Sequence, residues 1–228
     1  MSDATSPVLS GAAAEQLAGP GFSDMGEEAL ELSMDAPSPH AVHKVGPNAV
    51  IQTRLALIDI CGAKRARALF AHAGVIDWFD LPPDSMVPAE PVNRLNMTLF
   101  QQLDRPVFEM LMADAGTRTG HYILDNRIPR PVRKLLENLP AWLAARALLK
   151  AIRAHAWTFA GNARVTVKPG HPATIEIRAN PISVPGCPWH RGVFEMLFSG
   201  VLGKPVRVDH LTAFDGQPCD RFMVRWNH

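Results

Sequence analysis

The sequence has few of the groups that covalent or redox chemistry needs. Its three cysteines, Cys61, Cys187 and Cys219, are too few and too scattered for a disulfide framework, so a reducing compartment is expected. No G-x-G-x-x-G follows a strand-like segment, and no G-x-x-x-x-G-K-[ST] occurs. Neither dinucleotide nor P-loop chemistry is therefore visible. Paired C-x-x-C motifs for an iron–sulfur cluster and a serine nucleophile elbow are missing too. A reductase built from this chain alone would have no visible electron source. Neither sign of charge dominates: 23 Lys and Arg face 22 Asp and Glu, for a net charge of +1. That balance implies no nucleic acid or other polyanion as partner. No run of about 18 apolar residues exists, so no transmembrane segment is expected. The first residues lack the basic and apolar regions of a signal peptide. The expected location is the cytoplasm, with peripheral contact to a membrane still compatible.

What is present is enough apolar residue for one real core, at 47% of 228 residues. Residues 1–40 are rich in Gly, Ala, Ser, Pro and acids and read as a largely disordered arm, with a short helix near Glu27–Ser33. Residues 41–228 read as a single domain. Helical periodicity runs through 46–60, 63–73, 92–103, 106–124, 129–138 and 141–160. The stretch 77–91 holds four prolines and reads as an irregular connection. After Gly161 the pattern changes. Residues 163–168 and 173–178 alternate as a hairpin around Pro169–Pro172, 191–202 is a helix, and 206–211 and 221–226 are strands. The predicted fold is α+β, a helical N-terminal half packed on a four-stranded antiparallel sheet.

Several residues stand out as pocket candidates. His155 falls on the stripe Ala144, Leu148, Ile152, His155, Phe159 and is expected to face the interior. A neutral imidazole there suits either a backbone carbonyl or the magnesium of a metallated tetrapyrrole. Trp157 and Phe159 would add flat apolar contact. Gly116 and Gly120 each cost a helix about 1 kcal/mol, which implies close approach by a neighbouring helix or a flat ligand. His121 and Tyr122 follow them directly. The cationic run 127–134 includes Arg130 and Arg133, which either form a solvated face or hold ligand carboxylates. Trp78, Phe79, Trp142, Trp157, Trp189 and nine methionines complete an adaptable apolar inventory.

The order of motifs from Trp157 onward carries a family resemblance. Trp157–Gly161 is followed by Cys187-Pro188-Trp189-His190, an apolar helix, Gly203 to Asp209, and Gly216-Gln217-Pro218-Cys219-Asp220-Arg221-Phe222. This order over residues 141–226 resembles the 4-vinyl reductase domain family, one branch of which serves bacteriochlorophyll synthesis. The resemblance implies a fold like that of the family's sensor domains and of TRAPP subunits, with a ligand cavity between helices and sheet. Many members hold zinc with a cysteine before the helix, an acid after it and two cysteines around the glycine turn. Carried over, those positions fall on Cys187, Asp209, Thr212 and Asp220, the last one residue past Cys219. The candidate set is Cys187, Asp209 and Cys219, a degraded zinc site, against the plainer reading of buried cysteines in a core. No cofactor is required by this reading. The implied function is to bind and carry a Mg-protoporphyrin or chlorophyllide-type intermediate. The implied partners are the Mg-chelatase large subunit, the Mg-protoporphyrin methyltransferase and a second copy in a homodimer. An 8-vinyl reductase, and a ligand-sensing or scaffold module, remain the alternatives.

Overall fold

The computed structural model describes residues 43–214 and 216–227. The N-terminal arm and its short helix lie outside the described residues. The elements are β1 (Lys44–Val45), α1 (Asn48–Cys61), α2 (Ala63–His72), α3 (Asp77–Asp80), β2 (Val87–Pro88), α4 (Ala89–Gln102) and α5 (Arg105–Asn126). They continue with α6 (Arg130–Glu137), α7 (Ala141–Ala154), α8 (Trp157–Ala160), β3 (Arg164–Lys168), β4 (Ala173–Arg178), α9 (Pro188–Leu202), β5 (Val206–Phe214) and β6 (Pro218–Trp226). The α+β class read from the sequence is the observed one.

Local signals explain most boundaries. Gly62, at φ 80°, separates α1 from α2. Pro106 and Pro188 sit in the first turns of α5 and α9, where a missing N–H costs nothing. Gly203, at φ 63°, ends α9 by donating its N–H to the Ser199 carbonyl. Two expectations need correction. The 77–91 stretch is not wholly irregular, since it contains α3 and the strand β2, which pairs with β1, and α4 already begins at Ala89. Pro91 is tolerated because it falls in the first turn of α4. The predicted helix over 141–160 is two helices, with His155 as the C-cap of α7.

The main sheet is antiparallel with strand order β3-β4-β6-β5. Side chains alternate between its faces. Ile175, Ile177, Phe222 and Val224 point to the same side and are buried. Above them α9 contributes Phe194, Phe198 and Val201, all nearly inaccessible. Each such phenylalanine stabilises by about 1.5–3 kcal/mol relative to exposure. Aromatic side chains therefore fill the layer between α9 and the sheet.

Behind α9 runs α5, at a distance that only glycine permits. A Cβ on Gly116 would sit 2.1 Å from the Trp189 carbonyl oxygen, and one on Gly192 would sit 2.4 Å from the Ala113 carbonyl oxygen. Gly120 and Gly200 face side chains, with a Cβ falling 2.6 Å from Met196 Cβ and 2.5 Å from Leu124 Cδ1. The glycine pair seen in the sequence thus receives a helix. Gly116→Ala should force the two backbones apart and cost about 2 kcal/mol or more. Thermal denaturation should show a fall in Tm of roughly 4–8 °C, and an unchanged Tm would contradict this packing.

Candidate functional site

The first turn of α9 and the paired strands β5 and β6 converge on a buried polar cluster. Cys187 caps α9 in the left-handed region, at φ 40°, which turns its side chain toward the sheet. His210 on β5 and Asp220 on β6 face the same side. Their ligand atoms and the Cys187 sulfur all lie within 4.8 Å of one another. His210 Nε2 is 2.9 Å from Asp220 Oδ1, and Asn180 Nδ2 donates to Asp220 Oδ2 at 2.8 Å. Ser183 Oγ is 3.7 Å from the Cys187 sulfur. His190, in the first turn of α9, is buried among Trp189, Phe159, Phe194 and Phe222. Its ring donates to the Phe159 carbonyl, while its Nε2 has no partner among the described residues.

Burial drives the electrostatics of this cluster. It pushes the Cys187 thiol up to about 12, helped by the Asp220 charge. It pushes the His190 imidazole down to about 4. For Asp220 burial acts upward too, but hydrogen bonds from His210, Ser183 and Asn180 outweigh it and hold the carboxyl down at about 2. The result is a neutral thiol, a neutral His190 and a charged carboxylate. A thiol, an imidazole and a carboxylate suit zinc, whose ligand bonds are about 2.0–2.3 Å long. Cys187, His210 and Asp220 therefore offer three donors of the kinds that zinc takes. The Asp220 charge favours a protonated His190 ring, but burial outweighs it.

This set corrects the one expected from the sequence. Asp209 pairs with Arg207 at 3.0 Å and with Arg225. Cys219 is buried beside Glu176, Arg178 and Arg221, on the opposite face of β6 from Asp220. In strands a one-residue shift reverses the face, so the thiolate and acid expected there give way to Asp220 and His210. The pocket candidates are also dispersed. His155 is exposed, because α7 ends before the interior stripe reaches it. Trp157 is 52% exposed and borders a shallow hollow with Lys44 and Met86. Phe159 packs on His190 and Phe194. His121 is exposed and Tyr122 half-buried on α5. Arg130 is exposed, and Arg133 pairs with Asp125 and Glu137 at 3.3 and 3.2 Å. His190 and His210 were not singled out from the sequence. The spacing Cys187-x-x-His190, and the apolar alternation Val206, Val208, His210, were the available signals.

Open space lies instead at the edge of the layer. A cleft of about 560 Å³ runs between α7, the β3–β4 turn and the end of β6. Trp142, Ala145 and Leu149 form one wall, Trp226 stands opposite, and Arg146 and Lys204 bring positive charge. His171 lies on the wall with its Nε2 2.6 Å from the Trp226 carbonyl oxygen. Among the described residues no helix is long and apolar enough to cross a membrane.

No family model matches the chain. It is 37% identical over 193 residues to the bacteriochlorophyll synthase 23 kDa chain of Cereibacter sphaeroides, covering 82% of this chain and 92% of that one. It is 35% identical over 198 residues to the protein of the same name from Rhodobacter capsulatus, covering 82% and 91%. Among solved structures it resembles the Fe(II) unliganded H-NOX protein from K. algicida, at TM-score 0.53 and 8% identity over 81% of this chain and 97% of that one. A mutant H-NOX from T. tengcongensis gives TM-score 0.52 at 13% identity, over 78% and 96%. A structure described as probing heme distortion in the H-NOX family gives 0.50 at 13%, over 80% and 95%. At such identities the likeness is one of fold alone.

Two outcomes test the cluster. His190 takes up a proton at pH 6.5 when unfolded and only near 4 when buried, so stability should fall as pH drops from about 6.5 toward 4. The loss should be on the order of 3 kcal/mol, with the Asp220 contribution lost further down, between about 4 and 2. Denaturant titrations should show that first limb in the native protein and not in His190→Gln, and identical limbs would contradict a buried neutral ring. Added zinc should raise the Tm of the native protein and leave Cys187→Ser or His210→Gln unmoved. Equal shifts in all three would mean that zinc binds elsewhere.

Proposed function

The chain belongs to the family of the bacteriochlorophyll synthase 23 kDa chain, and from that premise we propose that it acts in bacteriochlorophyll synthesis as a carrier of a magnesium tetrapyrrole. The cleft beside α7 carries this reading. Its walls are aromatic and aliphatic, and two cations stand among them. A tetrapyrrole intermediate is a flat apolar macrocycle bearing carboxylate, so each part has a counterpart: Trp142 and Trp226 for the ring faces, Arg146 and Lys204 for the acid. Burying several hundred Å² of macrocycle offers on the order of 10 kcal/mol gross. Association costs remove much of that, which leaves micromolar affinity, suited to cargo that must be released. The Mg-chelatase large subunit as donor and the Mg-protoporphyrin methyltransferase as acceptor fit the same reading. The buried Cys187 cluster serves in it as a tie between α9 and the sheet.

Titration with Mg-protoporphyrin should shift the Soret band with a micromolar midpoint. Trp142→Ala should raise that midpoint roughly three- to tenfold by removing a ring face. His155→Ala, about 20 Å along α7 from Trp142, should leave it unchanged. A spectrum that does not move removes the carrier reading. Turnover of a divinyl substrate by the protein alone with NADPH or reduced ferredoxin would replace it with the 8-vinyl reductase.

A further inference from the structure

The helix that walls the cleft also carries an exposed row that begins at the cleft rim, with Trp142 and Arg146, and continues beyond it. At 100° per residue, Trp142, Arg146, Lys150 and Arg153 fall within about 80° of arc on α7. All four are exposed, Trp142 at 65%. None of the three cations forms an ion pair with a described residue, although paired arginines are common on other helices. The preceding α6 is amphipathic in a similar way. Its apolar side carries Val132 and Leu135, 45% and 63% exposed, and only Leu136 packs on the core. Residues 127–157 hold seven Lys and Arg against a single acid, in a chain whose net charge is +1. Positive charge is thus gathered on one segment, where Arg133 alone pairs with acids, Asp125 and Glu137, and it stands together with bare aliphatic and indole groups.

We propose that the α6–α7 face docks on an anionic lipid bilayer. Cations near such a surface are drawn to its headgroups, each adding roughly a fivefold gain in partition. Tryptophan and scattered aliphatic side chains settle at the headgroup boundary. The combination of unpaired cations with isolated protruding apolar groups on this face matches a soft, laterally adaptable anionic plane better than a shaped acidic protein. The inference deepens the carrier reading, since it places the mouth of the cleft at the lipid surface. It rests on the charge of the face and not on the cargo.

The experiment is flotation of the full chain, without tetrapyrrole, on vesicles of phosphatidylcholine alone or with about a third phosphatidylglycerol. Binding should require phosphatidylglycerol and weaken steeply as salt rises from about 50 to 300 mM. Lys150→Gln with Arg153→Gln, neither of which lines the cleft, should lower partition roughly 30-fold with an unchanged Soret titration. Leu135→Ser should lower it less and without altering the salt dependence. No binding to the anionic vesicles at low salt, equal binding to neutral ones, or undiminished binding by the double variant would each overturn the proposal. Binding to polyglutamate in place of vesicles would also overturn it and assign the face to an acidic protein. A membrane result of either kind leaves the tetrapyrrole titration standing as a separate measurement.

Discussion

The contact of α5 with α9 is the constraint on which the rest of this structure depends. Backbone meets backbone there, with glycine on both helices and carbonyl oxygens where Cβ atoms would be. This fixes how α9 lies over the sheet. Its underside then presses Phe194 and Phe198 against β6, and its first turn delivers Cys187 and His190 to the end of the sheet where His210 and Asp220 wait. A carboxylate is tolerable at that depth only because Asn180, Ser183 and His210 bond to it. The polar cluster is therefore a product of helix placement as much as of residue type.

Much of this was legible in the sequence, for identifiable reasons. Proline at helix starts, glycine at helix ends and the change from a period of 3.6 to a period of 2 after Gly161 located most elements. The glycines at 116 and 120 were correctly read as marks of close approach. The reading failed where a periodic stripe outlived its helix. His155 continues the spacing of Ile152, but the backbone leaves the helix at Ala154, and spacing alone carries no information on where hydrogen bonding stops. It failed again on the phase of β6. Cys219 and Asp220 are both buried, at 2% and 4% exposure, so the strand begins buried on both faces. Polarity then cannot reveal which of two neighbours points toward the helix. Partners from β5 and α9 decide it, and those are tertiary facts.

The open cleft and the packed layer divide the labour of the domain. The layer under α9 is filled by aromatic rings and has no room for cargo. A cleft opens where the sheet ends and α7 spans the gap, so a flat ligand there meets the rim of the core. One face of α7 is committed to the core through Ala144, Leu148 and Ile152. Its flank faces the cleft and its back faces solvent. A 14-residue helix thus carries three environments, which is why its exposed tryptophan and unpaired cations stand out against the rest of the surface.

The glycine crossing also limits how lineages of this chain can diverge. A single methyl group on either helix collides with main chain, which cannot be trimmed by a change elsewhere. Drift at these positions must be concerted or must shift the axis of α9. Such a shift would uncouple the cluster at its foot and reshape the cleft at its side in the same step, so selection on any one of these features acts on all three.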